Sequence, residues 1–343
     1  MDLGPWSRRR LLRGSLALAG ATLLEGCATP LLPPPQARAA RVGILFYSTA
    51  TASAPQLDAL RGGLRDRGYV EGREIVLEPR FTEGQTEPYP ELVAELVRPA
   101  VSAIVVQEPT AVRAVRQASG TIPIVMAGGS EIPVERGLIA SLARPGGTVT
   151  GMTAGTPDLP AKRLQLLRDV VPHLSRVAFI GAEAEPIEVN PKVGGLTAAA
   201  QALGLQLHLA SLRTPNDFAP NDFEAVFTAM TRNQVGAFVM DSSPLAINNR
   251  PQLSELAIRH RLPSIWGSSA FKDAALLTYG PNILDLWRRA ATHVDKIQQG
   301  SRPADLPVEL PTAFDFTVNS QIARALGLTI PASILQQATE IIQ

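Results

Sequence analysis

The sequence predicts an α/β protein of two parallel-sheet lobes, each built from βαβ units, with a hinged cleft between them. Three observations carry this expectation. Short apolar runs alternate with helical-period segments from Arg41 onward, the alternation starts afresh at Arg176, and the tail beyond Pro281 extends neither series. Strand–helix alternation implies crossover units and a parallel sheet with helices on both faces. The strand runs are almost continuously apolar, as parallel strands buried on both sides must be.

In the first series, residues 42–47, 74–78, 103–106 and 122–126 read as strands. Residues 56–65 and 89–97 between them carry helical spacing. The second series opens with a strand over 176–181, a helix over 195–203 and a strand over 205–209. A helix over 222–231, a strand over 236–240, a helix over 244–260 and strands over 263–266 and 276–279 complete it. Beyond it, residues 282–299 form an amphipathic helix through Leu284, Trp287, Ala291, Val294 and Ile297, followed by short β-like runs at 307–310 and 314–318. The chain is expected to cross back to the first lobe near Pro281. The resulting division is a first lobe of 41–155 with 282–330 returning to it, a second lobe of 156–281, and a C-terminal helix over 331–343. Two lobes joined by several crossings can close on a ligand by a hinge.

The segment before the first strand has a different character. Basic residues in Ser7-Arg8-Arg9-Arg10-Leu11-Leu12-Arg13 precede an apolar run and then Leu24-Glu25-Gly26-Cys27. The first part looks like a twin-arginine export signal, with an apolar core too short for a mature membrane span. The second resembles a lipobox, in which Cys27 receives a lipid and becomes the first mature residue. Residues 1–27 are thus expected to be an export signal, and 28–40, with Pro30 and Pro33-Pro34-Pro35, an extended tether. Cleavage after Ala37-Arg38-Ala39 is the alternative, and it would discard Cys27. The protein is expected at the periplasmic face of a bacterial membrane, held there by lipid.

Composition narrows the chemistry. Hydrophobic residues make up 45% and charged residues 18%, a globular balance, and the formal net charge of +1 makes no electrostatic case for nucleic acid. Cys27 is the single cysteine, so no internal disulfide can form. His173, His208, His260 and His293 are scattered without metal-ligand spacing, and His260 and His293 look exposed or capping. Neither first βα turn carries GxGxxG or GxxxxGK[ST], and no GxSxG elbow is present. No cofactor, no metal and no catalytic residue is expected.

Ligands of open α/β sheets bind beyond the carboxyl ends of the strands, where helix N-termini present free amides. After the first strand this selects Ser48 and Thr49, which could also cap the next helix. After the third come Gln107, Glu108, Pro109 and Thr110. Pro109 reads as a first helical residue, Glu108 as cap or ligand contact, and Thr110 as a candidate contact. After the fourth, Gly128-Gly129 would let backbone approach a ligand beside Ser130. In the second lobe, Asp241 could accept hydrogen bonds from a solute ammonium, with Ser242 beside it. Ser268 follows a strand whose Trp266 either stacks on a flat solute or packs in the core. Tyr279 lines the cleft or the hinge.

Phrases along residues 41–343 resemble a known family. They include residues 64–72 (LRDRGYVEG), 141–151 (SLARPGGTVTG), 162–167 (KRLQLL), 279–282 (YGPN), 288–291 (RRAA), 305–309 (DLPVE) and 325–331 (ALGLTIP). The chain is similar to the ABC-transporter substrate-binding proteins of the tryptophan/tyrosine-binding type, with the type I periplasmic-binding fold. The resemblance implies a monomeric receptor that hands a small solute, an amino acid or related compound, to ABC permease subunits, without catalysis. Two loops depart from the family pattern, 128–133 (GGSEIP) and 181–186 (GAEAEP). Glu183 and Glu185 in the second would suit a cationic solute. A sensory ligand-binding protein for a membrane receptor and a secreted carboxylate-dependent enzyme are the alternative readings.

Overall fold

The first apolar run becomes β1 (Ala40–Phe46), buried from Val42 to its end. Thr49 caps α1 (Ala50–Arg65) by accepting the Ala52 amide at 3.3 Å. Then follow β2 (Ile75–Phe81), α2 (Tyr89–Val97), β3 (Ala103–Val106), α3 (Pro109–Ala118), β4 (Ile124–Gly129) and β5 (Val149–Thr153). The second series comprises α4 (Leu159–Val170), β6 (Arg176–Gly181), α5 (Pro191–Ala202), β7 (Gln206–Ser211), α6 (Phe223–Arg232) and β8 (Ala237–Met240). It continues through α7 (Arg250–Arg259), β9 (Ser264–Trp266) and β10 (Leu277–Pro281). The tail holds α8 (Ile283–Gln298), β11 (Val308–Glu309), β12 (Phe314–Asn319), α9 (Ser320–Leu326), α10 (Ala332–Leu335) and β13 (Glu340–Ile342). This computed structural model describes residues 39–85, 88–98, 100–129, 132–181, 191–211, 223–240, 242, 246 and 249–343. The export signal, Cys27 and most of the tether lie outside the described residues.

Among the described residues the strands form two sheets. The first is six-stranded in the order β11-β5-β4-β3-β1-β2, and all its pairings are parallel. The second has the order β13-β12-β10-β9-β8-β6-β7, parallel except between β10 and β12. In each sheet the opening strand lies between the second and third of its series, so the two halves repeat one winding.

Side chains alternate across each strand and feed both faces. Val42, Ile44 and Phe46 pack with Leu57, Leu60 and Leu64 of α1 and with Trp287, Ala291 and Val294 of α8. Leu45, Ile104 and Val106 pack on the opposite face with Val93 and Leu96 of α2 and Val112 and Val115 of α3. The second sheet is covered the same way. Leu164, Leu167 and Leu196 lie on one face, and Phe223, Phe227 and Leu253 on the other.

The tail divides differently from the expected return of 282–330 to the first lobe. Helix α8 and strand β11 do join the first sheet. Strand β12 instead pairs antiparallel with β10, from Leu277↔Val318 to Pro281↔Phe314. Its Phe316 and Val318 lie in the second lobe's core beside Ile322 and Ile334. An apolar alternation marks a strand but does not say which sheet edge it completes. The expected C-terminal helix over 331–343 is a single turn, α10, followed by β13 paired with β12. Thr339 directs this change, since its amide donates to the Phe316 carbonyl at 2.7 Å and its Oγ1 accepts the Phe316 amide at 2.9 Å.

His293, on the buried face of α8, is not exposed, its side chain being 1% accessible. Its Nε2 lies 3.1 Å from the Pro307 carbonyl, which fixes the proton on that nitrogen, while Nδ1 is buried without a partner among the described residues. Burial pushes its pKa below the ordinary value of 6.5. Between the lowered folded value and 6.5 the unfolded chain binds more protons, so stability should rise with pH across that window and level off above it. His293→Gln should flatten this acid-side slope, as measured by urea midpoints across the window.

Candidate functional site

Three crossings determine which ends of the sheets meet. Residues 154–158 leave the carboxyl end of β5 for α4, Asn282 leaves the carboxyl end of β10 for α8, and 310–313 leave the carboxyl end of β11 for β12. Because β12 runs antiparallel to β10, its first residue Phe314 lies beside Pro281. The carboxyl ends of both sheets therefore converge on the same crossings. The order 2-1-3-4-5 in each half places topological switch points between β1 and β3 and between β6 and β8, where α/β sheets bind ligands.

On the first lobe, Ser48 is half-buried in the bend after β1, and Thr49 is exposed with its hydroxyl used as the α1 cap. Tyr47 ties this bend down. Its hydroxyl donates to the Gly84 carbonyl, and its own carbonyl accepts the Thr82 hydroxyl at 2.7 Å. Glu108 occupies the cap position of α3 without a side-chain capping bond, and Pro109 starts the helix. Thr110, next in the helix, is exposed. Ser130 lies outside the described residues, as do Glu131, Glu183 and Glu185.

On the second lobe, Ser242 is half-buried just beyond β8, while Asp241 lies outside the described residues. Ser268 caps the short 3₁₀ turn Ser269–Phe271, accepting the Ala270 amide at 3.3 Å. Trp266 belongs to the core. It is fully buried, its Nε1 donates to Ser264 Oγ at 3.0 Å, and it packs on Phe271. Tyr279 is half-buried, with its ring stacked on Phe314 at 5.8 Å. Burial raises its pKa, and the nearby Arg163 opposes that shift.

Arg163 of α4 reaches across the carboxyl ends of two second-lobe strands. Its Nε donates to the Tyr279 carbonyl at 2.8 Å and its Nη2 to the Gly267 carbonyl at 3.2 Å, so one guanidinium joins the ends of β10 and β9. Glycines allow this approach, since a Cβ at position 280 would lie 2.0 Å from the Gly267 carbonyl oxygen. Sequence reasoning did not single out Arg163. The only trace was its place in the phrase 162–167, because its partners lie more than a hundred residues away.

Asn282 links the lobes directly. Its Oδ1 caps α8 by accepting the Asp285 amide at 2.8 Å, and its Nδ2 donates to Asp315 at 3.0 Å. Ser269 Oγ donates to the other oxygen of Asp315 at 2.9 Å. A first-lobe helix start and two second-lobe elements thus share one carboxylate at the crossings. Among the described residues, no group of three or more His, Cys, Asp or Glu side chains comes together to hold a metal.

A family model described as ABC transporter substrate binding protein matches residues 42–342. A tyrosine-binding protein of Clostridioides difficile is 23% identical over 283 residues, spanning 80% of this chain and 78% of that relative. An ABC domain in complex with L-Trp from Streptococcus pneumonia superposes with a TM-score of 0.78 at 22% identity, over 89% of this chain and 100% of that one. The ligand-free, open structure of a substrate-binding protein with adhesive properties from Clostridium difficile gives 0.70 at 20% identity, over 89% of this chain and 99% of that one. These structural likenesses show the fold, which is the type I periplasmic-binding arrangement.

Proposed function

Because the chain belongs to the ABC transporter substrate-binding protein family, we propose that it is a lipid-anchored receptor that closes by a hinge on a small solute of the amino-acid type. It delivers that solute, as a monomer, to the permease subunits of an ABC importer. Members of this family work outside the cytoplasm with ABC permeases, and their role is binding rather than turnover. The observation that carries the reading is the convergence of both sheets' carboxyl ends on crossings joined by Asn282 and Asp315. The amino-acid class is supported by a tyrosine-binding relative and a fold relative in complex with L-Trp.

Ser48, Thr49, Thr110 and Ser130 are the proposed solute contacts from the first lobe, and Asp241, Ser242, Ser268 and Tyr279 those from the second. All follow strand ends or begin the adjoining helices. A thermal-shift screen of the leaderless protein against amino acids, small peptides, purines and organic acids tests the receptor reading. A ligand present at a hundred times its dissociation constant adds about 2.7 kcal/mol of stability, enough for a shift of several degrees. Aromatic amino acids should give that shift. A protein refolded to remove carried solute that still responds to nothing would refute the reading.

Lipidation at Cys27 has a separate test. Cys27→Ser should move the exported protein from the membrane fraction to the soluble fraction. Unchanged partition would remove the anchor and favour cleavage near Ala39.

A further inference from the structure

The carboxylate of Asp315 stands where a strand has no need of one. Aspartate is disfavoured in β-strands, yet Asp315 is the second residue of β12, half-buried and paired with Gly280 of β10. Among the described residues no cation pairs with it. Both oxygens are taken by neutral donors, Oδ1 by Asn282 Nδ2 at 3.0 Å and Oδ2 by Ser269 Oγ at 2.9 Å. An ionised carboxylate is acceptor-only at both oxygens and can serve two donors that arrive from different elements.

Those donors have different duties. Asn282 is the crossing residue between β10 of the second sheet and α8, which packs on the first. Its Oδ1 accepts the Asp285 amide, which leaves its Nδ2 to face Asp315, and its backbone N–H donates to the Ala313 carbonyl at 2.9 Å. A second crossing, 310–313, is thereby bonded to the first immediately ahead of Asp315. A helix start also favours a nearby anion. Ser269 opens the turn after β9, directly after Ser268 and after Gly267, whose carbonyl Arg163 holds. The carboxylate therefore touches both the turn that carries a proposed solute contact and the residue from which the first-lobe helix departs.

Building on the receptor reading above, we infer that Asp315 is a positioning residue that couples the Ser268–Ser269 turn to the start of α8, so that solute held at the turn biases how the two lobes stand. A solute shifts such an equilibrium only by binding one arrangement better than the other. The shared carboxylate supplies the connection, because displacing the turn pulls on the crossing.

Asp315→Asn tests this, since it keeps the side chain's shape but turns one acceptor into a donor, and one of the two bonds must break. Asn282→Ser keeps a capping oxygen and removes the link to Asp315, and Ser269→Ala removes the link on the other side. Cys27 is the only cysteine, so the leaderless protein can carry Gln117→Cys on α3 and Ala225→Cys on α6, both exposed, for a dye pair that reports the distance between the lobes. Calorimetry measures L-tyrosine and L-tryptophan binding alongside. Asp315→Asn should shift the lobe-distance distribution of the solute-free protein and weaken binding by about fivefold or more. Ser269→Ala and Asn282→Ser should each weaken binding severalfold, and together little more than either alone, because they cut one connection. In the Asp315→Asn background neither should add a further effect. An aspartate that served the fold alone would lower the melting temperature while the distribution and the affinity stayed those of the parent. That result, or additive effects of the Ser269 and Asn282 variants, overturns the inference and leaves the receptor reading standing. A parent protein that binds neither probe nor any solute of the thermal-shift panel overturns both.

Discussion

Arg163→Ala is expected to weaken solute binding by more than tenfold, about 1.4 kcal/mol, and to lower the melting temperature as well. The guanidinium spans the Tyr279 and Gly267 carbonyls, so its removal leaves two half-buried acceptors without their charged donor. Hydrogen bonds from charged groups contribute about 1.5–3 kcal/mol each. The ends of β9 and β10 carry Ser268 and Tyr279, and loosening them displaces one wall of the cleft. Arg163→Lys separates charge from geometry. Lysine keeps the cation but offers a point donor that cannot span both carbonyls as a planar fork. It should recover little of the lost melting temperature. Full recovery of both affinity and stability by lysine would mean that charge alone matters at this position. An alanine variant that binds and melts like the parent would remove Arg163 from the site.

Gly280→Ala is expected to destabilise the second lobe by about 1–3 kcal/mol or more, the range for overpacked cores. The new Cβ would meet the Gly267 carbonyl oxygen at 2.0 Å and its carbonyl carbon at 3.0 Å, so the obstacle is backbone, which no rotamer change can relieve. Strand β10 would have to move away from β9 where Arg163 clamps them. Solute affinity should fall with stability, because the same movement displaces Tyr279. Gly194→Ala is the matched control, since a Cβ there meets nothing within 4 Å and the residue lies within helix α5. Alanine favours a helix over glycine by roughly 0.5–1 kcal/mol, so this control should melt no lower than the parent. Equal melting temperatures for the Gly280 variant and the parent would contradict the close approach of the two strands.

Particular elements show what could be read in the chain and what could not. Strand β3 and helix α2 occupy the residues their patterns indicate, 103–106 and 89–97, because a buried parallel strand is continuously apolar and a one-sided helix is periodic. Strand β5 escaped the alternation. Its sequence over 149–153, VTGMT, is diluted by two threonines and by Gly151, which adopts a positive φ of 118° that few other residues tolerate. Thr49 was legible as a cap, since the bond it makes spans only three residues. Tyr89 read simply as part of a helix, because nothing local marks its hydroxyl as buried without a partner among the described residues.

The sequence by itself determined two similar parallel α/β series and the positions of most of their strands and helices. Those features follow from short-range periodicity and from residues whose conformational preferences act within a few positions. Tertiary structure alone decided that β12 returns to the second sheet, that His293 and Trp266 are core residues, and that Arg163 joins β9 to β10. Each of these depends on partners distant in sequence, such as Leu277 with Val318 or Arg163 with Tyr279. An edge strand, a buried ring and a long cation take their roles from what packs against them, and one-dimensional spacing does not encode that.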